Sequence, residues 1–545
     1  MSKTGAGVFR ICLCAATLLA FGRAAEANVR IASAATHNMT CSKGLCTPDA
    51  KKAVLNVDDL ASMLAAGDVR VISDQRALDI DVDAALSWTS PHRLTLDAWR
   101  SIAFNQSVNL DADGALTLTT NHGGTGGDFA FAETGKAHIA FAKLQSSLII
   151  NGNSYVLAGT LQDLAADMGN DLNGFYALAG SYDASADGTY TVSALPDFAG
   201  TFEGLGNAVS NYSLQLAGGN TAGGLFQCAC PSSTVRDVDL VNVTIRGNSG
   251  ADDVGALAGI AYGTVQGISA SGSVGGDAKD GANDSAGGLL GLSHGLVVHS
   301  RSRVKVRGAQ VAGGLVGILQ PSGAPAATIS YSSAGGDVSG VGAAGGLVGL
   351  MDQSFGNEEI DHSYAAGNVT GSGGAYVGGL VGTGKGTIVR SFATGTVSAR
   401  RCAACGGLAG SSGGSITDSY ATGALNVGNC DACGGLLGDN SGTVATSYAT
   451  GSLLESSGTY LGGLIGADAA PAGSLSNTYW DTTTSGITDP AQGAGNISND
   501  QGIAGLTTAE LQAGLPAGFS PSVWGENSTI NNGLPYLLAL PPNPR

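Results

Sequence analysis

The chain has 545 residues, of which 43% are apolar, so it has the material for a packed core and is not a disordered chain. Its formal net charge of −18 argues against generic nucleic-acid binding, because such binding needs a basic surface. Glycine is abundant at 87 residues and aromatic residues make up only 6%, which favours a narrow β-core over a globular one.

Residues 1–27 have the features of a secretory signal peptide. Lys3 and Arg10 supply positive charge, residues 11–22 form a short apolar stretch, and residues 25–27 read small-x-small. The apolar stretch is too short to span a membrane as a helix, so cleavage is expected. Cleavage would change the formal charge from −18 to −20. No later segment is predicted to be a transmembrane helix.

The next two segments are predicted to consist mainly of short strands. Residues 28–147 form a β-rich region with one helix at residues 56–66, where Asn56 is placed to cap the first turn. Residues 148–222 add further strands, with a helix as one candidate near residues 160–168. We assign this second segment as the lead-in, or N-terminal cap, of the array that follows.

Residues 223–480 are a repeat array. The motif Gly-Gly-Leu-apolar-Gly, or a close variant, occurs nine times, and successive copies start 26–33 residues apart. A period of this size indicates a solenoid, in which one repeat cannot bury its apolar face alone. The leucines at the third position are predicted to stack inside successive coils: Leu315, Leu347, Leu380, Leu408, Leu436 and Leu464.

The later repeats share a second motif, Ser-Tyr-Ala-Thr-Gly, as at residues 419–423 and 447–451. When residues 330–335 are aligned on this motif, Tyr331 corresponds to the later tyrosines. In the repeat before it, Arg301 stands at the position of Tyr331. The predicted fold is an all-β, right-handed parallel β-helix with about one coil per 26–33-residue repeat. Residues 481–545 are assigned as its C-terminal cap and tail, and a β-propeller is the second choice.

These motifs resemble a known family. The Gly-Gly-Leu and Ser-Tyr-Ala-Thr-Gly repeats are similar to the GLUG motif of bacterial surface proteins, and residues 477–486 and 505–512 are similar to the way such arrays end. Residues 85–120 resemble a β-helical segment of filamentous-haemagglutinin-type adhesins, so residues 28–147 are taken as the haemagglutinin-like region. The resemblance implies a secreted or surface-attached β-helix with an adhesive role.

The sequence also departs from that family. It has no clear two-partner-secretion domain after the signal peptide and no Asn-Pro-Asn-Gly motif, and no C-terminal β-barrel translocator is evident. We therefore expect a separate outer-membrane translocator as an export partner. The expected location is the cell surface or the medium, and the alternative is the periplasm.

Eight cysteines would remain after cleavage, an even number that suggests disulfides in an exported chain. Cys41 and Cys46 are placed to close a small loop, whereas the state of Cys228 and Cys230 is not assigned. The pairs Cys402/Cys405 and Cys430/Cys433 are offset by one repeat, so Cys402 is expected over Cys430 and Cys405 over Cys433. Disulfides between these coils are predicted, and free thiols or a zinc site are the alternatives.

Four cations alternate with small or apolar residues along one predicted strand: Arg301, Arg303, Lys305 and Arg307. All four would face outward and form a stripe for an anionic glycan or lipid headgroup. The alternative is a solvated face whose cations pair with acids on neighbouring coils.

One aromatic residue per coil recurs in the second motif: Tyr364, Phe392, Tyr420 and Tyr448. If these rings face outward, they form an aromatic ladder that can stack on sugars. The alternative is a stacked ladder that stabilises the coils.

The predicted function is that of an exported, non-enzymatic β-helix surface protein, similar to an adhesin, that makes multivalent contacts. A glycan or a host or cell-surface protein is the expected partner, and no nucleic acid, metal or cofactor is expected. The alternative is a glycan-active β-helix enzyme, a lyase or hydrolase, in the periplasm or medium, but no group of carboxylates recurs in register with the repeats.

Overall fold

A computed structural model describes residues 27–132, 137–218, 222–247, 253–275, 285–322, 326–352, 358–373, 375–453 and 456–542. It is nearly all β, with 50% strand and 6% helix, and its described residues form a β-solenoid of about 16 turns with stacked parallel strands. The predicted parallel β-helix is therefore confirmed. The signal peptide prediction, except for residue 27, lies outside the described residues. The chain divides into two compact units, residues 1–157 and 158–545.

The first unit stacks short parallel strands around a helix at Val57–Ala66, whose first turn is capped by Asn56 as predicted. Antiparallel hairpins occur at Met39–Ser42 with Leu45–Pro48 and at Ser147–Ile150 with Asn153–Ala158. The remaining strands are Val29–Ala32, Ala53–Asn56, Val69–Ile72, Ile80–Val82, Leu86–Trp88, Arg93–Asp97, Ile102–Phe104, Val108–Leu110, Ala115–Thr119, Phe129–Phe131 and Ile139–Phe141.

The second unit begins with a helix at Leu161–Asn170, capped by Thr160, followed by coils that lead into the repeats. The lead-in strands are Phe175–Leu178, Tyr182–Asp183, Thr189–Tyr190, Thr201–Glu203, Ala208–Ser210 and Ser213–Gln215. A nine-stranded parallel sheet follows each Gly-Gly-Leu corner: Phe226–Ala229, Ala258–Ala261, Leu290–Ser293, Val316–Leu319, Val348–Met351, Val381–Gly384, Ala409–Ser412, Leu437–Asn440 and Ile465–Asp468.

Two further faces complete each coil. The face that follows the nine-stranded sheet consists of Thr234–Arg236, Thr264–Gln266, Leu296–Val298, Ala327–Ser330, Glu358–Asp361, Thr387–Val389, Ser415–Thr417, Thr443–Ala449 and Leu475–Asp481. The last face consists of Ala222–Gly223, Asp239–Arg246, Asp253–Gly255, Ser269–Gly275, Ser285–Gly287, Arg301–Gly313, Ser333–Ala334, Val338–Gly345, Tyr364–Ala365, Val369–Gly371, Ala375–Gly378, Phe392–Ala393, Val397–Ala399, Cys402–Gly406, Tyr420–Ala421, Leu425–Val427, Cys430–Gly434 and Gly458–Gly462.

The C-terminal segment folds within the second unit after the last coil. It contains the strand Ile503–Leu506, a short helix at Thr508–Leu511 closed by a capping box with Thr507, and the antiparallel pair Trp524–Gly525 and Tyr536–Leu537.

The motif leucines form one continuous internal column. All six are completely buried, as predicted from the period. From Leu315 to Leu436, each leucine N–H donates a backbone hydrogen bond to the carbonyl of the leucine one coil further on, for example from Leu380 to Leu408 at 2.8 Å and from Leu408 to Leu436 at 2.8 Å, whereas Leu464 donates to Gly493. The repeat period thus becomes a fixed register, because each coil is hydrogen-bonded to an equivalent position in the next.

The paired glycines of the motif are required by close approach between coils. A Cβ on Gly346 would lie 2.0 Å from the carbonyl oxygen of Gly379 in the next coil, and a Cβ on Gly345 would lie 1.9 Å from the oxygen of Val348. Real Cβ atoms do not approach backbone oxygen this closely, so a larger residue at Gly345 or Gly346 forces this corner apart.

We expect Gly346→Ala to lower the free energy of unfolding by about 1–3 kcal/mol, because its methyl group overpacks a corner with no room. Gly335→Ala is the matched control, since a Cβ there meets no atom within 4 Å, and it should change stability by less than about 0.5 kcal/mol. Denaturant unfolding of the second unit measures both. Equal effects of the two changes would refute the close-approach explanation.

Candidate functional site

Each later repeat makes a turn through a residue in the left-handed region, directly followed by a buried serine. The left-handed residues His299, Tyr331, His362, Arg390, Asp418 and Thr446 have φ between 43° and 49°. The serines form what we call the serine ladder: Ser300, Ser332, Ser363, Ser391, Ser419 and Ser447, all at most 2% exposed.

The serine ladder satisfies the backbone of the turn and links the coils. The hydroxyl of Ser391 donates to the carbonyl of Val389 at 2.8 Å and accepts from the backbone N–H of Ser363 at 3.1 Å. The same two bonds recur at Ser419, at 2.9 Å to Thr417 and 3.2 Å from Ser391. The ladder therefore fixes the direction of the residue that follows each serine.

The residues that follow the serines form the aromatic ladder, Tyr364, Phe392, Tyr420 and Tyr448. Their ring centroids lie 4.9, 4.8 and 5.1 Å apart in sequence, with interplanar angles of 5°, 9° and 6°. The alanine after each ring points into the solenoid interior and is buried there: Ala365, Ala393, Ala421 and Ala449. The rings therefore lie on the outer side of the coil wall.

The C-terminal segment covers this ladder. Its residues Leu511, Phe519, Trp524, Leu534 and Leu537, which we call the C-terminal cover, form one buried cluster with the ladder. The ring centroid of Trp524 lies 6.0 Å from those of both Tyr420 and Tyr448. Phe392, Tyr420 and Tyr448 are at most 2% exposed, and Tyr364 is partly buried. The expectation that the ladder stacks on sugars is wrong for the three buried rings, because they have no free face.

Hydrogen bonds fix the cover onto the ladder. The hydroxyl of Tyr448 donates to the carbonyl oxygen of Pro535 at 2.6 Å and accepts from the amide of Asn531 at 2.9 Å. The indole of Trp524 donates to Asp418 at 3.1 Å. Burial raises the pKa of Tyr420 and Tyr448 well above the usual range, so both hydroxyls stay protonated in the folded protein.

The alignment of residues 330–335 with the later repeats is corrected by the structure. Ser333, and not Tyr331, is in register with Tyr364, and Arg301 is in register with Ser333. Tyr331 instead occupies the left-handed position and stacks between His299 at 5.2 Å and His362 at 4.8 Å. Residues 330–334 align with residues 361–365 without an insertion, so Tyr331 corresponds to His362 and the serine that joins the ladder is Ser332.

The basic stripe lies on one strand, Arg301–Gly313. Arg303, Lys305 and Arg307 are exposed and Arg301 is half-buried, while the intervening Ser302, Val304 and Val306 are buried. Residues two apart on a strand face the same side at about 6.6 Å spacing, so the stripe is a straight row of charge.

The preceding coil carries small neutral residues at the positions paired with the stripe, whereas in the following coil Asp337 lies at the level of Lys305, its carbonyl accepting the N–H of Val306 at 2.9 Å. Arg303 is in register with Ser271, Lys305 with Ser273, and Arg307 with Gly275 and Ser339. Within the described parts of the chain, no carboxylate forms an ion pair with Arg303, Lys305 or Arg307. The alternative that these three cations pair with acids on neighbouring coils is therefore not supported by the described residues.

Arg301 has a different environment from the rest of the stripe. It lies near Asp239, two coils earlier in the same column, whose pKa is raised by burial and lowered in part by the hydroxyl of Ser269 and by the charge of Arg301. The positive charge of Arg301 thus favours the ionised form of the half-buried Asp239 carboxyl. The exposed part of the stripe consists of the other three cations.

The cysteines form four disulfides, and two of them differ from the predicted pairing. Cys41 is bonded to Cys46, and Cys228, which was left unassigned, is bonded to Cys230. The register does place Cys402 against Cys430 and Cys405 against Cys433. The bonds nevertheless run within each coil, from Cys402 to Cys405 and from Cys430 to Cys433, with Cα separations of 6.2 and 6.1 Å.

Within-coil pairing is possible because both cysteines of a pair point inward. Cys402, Cys405, Cys430 and Cys433 are all at most 1% exposed. A strict strand would send residues three apart to opposite faces, but Cys402–Gly406 carries one additional residue relative to the preceding coil. Cys402 is in register with Ala375 and Ala404 with Tyr376, so Ala403 is skipped. That shift was not visible in the repeat pattern.

Sequence reasoning missed the C-terminal cover and the stacked His299, Tyr331 and His362. The Thr507 capping box and the apolar residues at 511, 519, 524, 534 and 537 were the available signal for the cover, yet they do not say what it packs against. Every non-glycine residue with positive φ from 299 to 446 directly precedes the motif serine, and this position before the serine is the signal that would have located the second stack.

No helix among the described residues combines the length and apolar character needed to cross a bilayer.

Comparison with known proteins gives limited information. No protein-family profile matches this chain. A stretch of 256 residues, 47% of the chain, is 27% identical to Halomucin of Haloquadratum walsbyi, and the match spans only 2% of Halomucin's length. The similarity is too low, and covers too little of that protein, to assign a family.

Two tyrosines of the aromatic ladder provide a matched test of how the cover is held. We expect Tyr448→Phe to destabilise the covered state by about 1–3 kcal/mol, because it leaves buried polar groups of the cover unpaired. Tyr420→Phe should be neutral or stabilising, since the Tyr420 hydroxyl finds no hydrogen-bond partner among the described residues. Native-state hydrogen exchange of residues 506–540 measures both. Equal protection in the two variants would contradict the assigned role of Tyr448.

Proposed function

We propose that this chain is an exported, non-enzymatic surface protein, similar to an adhesin, that contacts its partner through the outer faces of its coils. The β-solenoid fits this role because stacked coils present long faces on which one contact can follow another. The resemblance of the repeats to GLUG-motif surface proteins, and of residues 85–120 to haemagglutinin-type adhesins, supports the same proposal.

The disulfides support export. Four bridges in one chain are typical of proteins that fold in an oxidising compartment. The sequence of residues 1–27 is consistent with a signal peptide that delivers the chain there.

The observation that carries the proposal is the basic stripe. Arg303, Lys305 and Arg307 form an exposed row on a chain whose net charge is −18, and their neighbours in register on the preceding coil are serine and glycine. Exposed cations without intramolecular partners among the described residues are available to an external anion. The row is straight and about 13 Å long from Arg303 to Arg307, which suits successive anionic groups of a linear glycan.

The location is tested by fractionating the source cells and treating intact cells with protease. We expect the protein in the medium, or on the surface and released by protease. Full protection of the protein in the periplasm would refute the surface assignment.

The stripe is tested by charge reversal. We expect Arg303→Glu/Lys305→Glu/Arg307→Glu to weaken binding to immobilised polyuronate by about tenfold or more, since loss of about 1.4 kcal/mol is enough for a tenfold change. Binding of the unchanged protein should also fall as salt is raised. Surface plasmon resonance measures both effects.

The matched control for charge reversal is Lys51→Glu/Arg400→Glu/Arg401→Glu, which alters three exposed cations elsewhere and gives the same net charge. If the control weakens binding as much as the stripe variant, the attraction is general and the stripe is not the site. Vesicles with anionic headgroups form a second arm, and a preference for them over polyuronate would transfer the proposal from a glycan to a lipid surface.

A further inference from the structure

The stacked cysteine pairs occupy one place inside the solenoid wall. Strands Cys402–Gly406 and Cys430–Gly434 are hydrogen-bonded neighbours, with Cys402 in register with Cys430 and Cys405 with Cys433. All four side chains belong to the buried core of the second unit. Four sulfur atoms are thereby concentrated in a site from which water is excluded.

The solenoid removes the sequence objection to a metal site here. The two Cys-x-x-Cys motifs are separated by 24 residues, more than the usual spacing in zinc ribbons. One coil takes 28 residues at this point, however, so the chain returns to the same place and brings the second motif directly onto the first. The two pairs thus lie side by side on neighbouring parallel strands, despite the longer connection.

The distances are close to those that a tetrathiolate site needs. The sulfur atoms of Cys402, Cys405 and Cys433 all lie within 4.8 Å of one another. Zinc–sulfur bonds of about 2.3 Å in a tetrahedron place sulfur atoms about 3.8 Å apart. The bonded sulfurs of Cys402 and Cys405 must therefore separate once the disulfide is open, and the sulfur of Cys433 must approach them by at most about 1 Å. Rotation of cysteine side chains provides movement of this size once the disulfides are open.

The fourth ligand must rotate to join the other three. The sulfur of Cys430 is directed toward Gly458 in the next coil, where a Cβ would lie 2.6 Å from it. Once its disulfide is open, a change of the Cys430 side-chain rotamer is needed to turn the sulfur back toward Cys402, its neighbour in the preceding coil. Val377 and Leu461 border Cys405 and Cys433 on the coils before and after, so the side chains in register with these two cysteines are apolar.

We propose that the thiol form of this chain binds one thiophilic divalent metal ion, with Zn²⁺ the best match, through Cys402, Cys405, Cys430 and Cys433. Binding replaces four S–H bonds with four metal–sulfur bonds and releases four protons. Oxidation of the site by two disulfides of a thiol oxidoreductase forms the two within-coil bridges, transfers four electrons to the oxidant and expels the metal. The metal-bound and disulfide-bonded states therefore exclude each other.

The chain supplies its own controls for this site. Cys41/Cys46 and Cys228/Cys230 also form disulfides, but neither pair is stacked on a second pair of cysteines in the described coils. Reduction converts all four bridges to thiols, so a metal that merely prefers free thiols would bind at these sites as well.

The experiment uses the full chain, reduced with a dithiol and titrated with Co²⁺, whose thiolate complexes absorb through sulfur-to-metal charge transfer. We expect one equivalent of Co²⁺ with a tetrahedral spectrum, which Zn²⁺ displaces. Cys402→Ser/Cys430→Ser should lose this spectrum, whereas Cys228→Ser/Cys230→Ser should keep it. Circular dichroism confirms that each protein is folded.

Cys405→Ala/Cys433→Ala provides a second variant in case the serines disturb folding, since alanine suits a position between Val377 and Leu461. It should also lose the spectrum. The proposal is overturned if the folded, reduced protein gives no charge-transfer band, or if the band survives in either stacked-pair variant. This outcome is independent of the surface role, which does not rely on the metal.

Discussion

Parallel backbone hydrogen bonding between successive coils is the constraint on which the rest of the structure depends. Each coil must meet the next along its whole length at a spacing of about 4.8 Å, and the repeat length brings equivalent residues opposite one another. The bond from Leu380 to Leu408 and that from Leu408 to Leu436 are identical in length. Glycine pairs at the corners allow this spacing, because their Cβ-free backbones can approach carbonyl oxygens of the following coil.

Because the register is fixed, equivalent residues of successive coils stack in columns. All residues of one column share the same environment, and that environment limits which residue types can occupy it. Inward columns hold leucine, alanine and valine, and the serine ladder satisfies the buried polar groups of the turn. Like charges stacked in one column would repel each other, because successive coils are only about 4.8 Å apart. The cations of the stripe avoid this cost because they follow one strand, with Ser271, Ser273 and Gly275 beside them in the preceding coil.

The aromatic ladder lies on the outer side of the coil wall, where uncovered rings would expose apolar surface to water. Stacked rings contact each other through their faces, yet their edges form an apolar strip along the coil wall. The C-terminal cover buries that strip with Trp524 and Phe519 and binds it through Tyr448 and Asp418. The same residues that suggested a sugar-binding surface are therefore the docking site of this chain's own C-terminal segment, and the basic stripe remains the exposed feature that suits an external ligand.

The sequence by itself determined the features that depend on period or on local chemistry. The 26–33-residue spacing predicted the stacked coils and the leucine column, and Asn56 marked the start of the first helix because its side chain caps that turn. Alternation along residues 301–307 likewise predicted that the cations share one face, since strand side chains alternate. Cys41 and Cys46 were close enough in sequence to be recognised as one loop.

Only the tertiary structure decided what depends on contacts between non-equivalent segments or on small shifts of register. A repeat period says which residues stack, but it does not say which non-repeated segment covers an outer column, so the burial of the aromatic ladder was not predictable. A local register shift let Cys402 reach Cys405 within its own coil, although stacking also places it against Cys430. Tyr331 lies outside the aromatic column, because it is the left-handed turn residue of its coil and Ser333 holds the position equivalent to Tyr364.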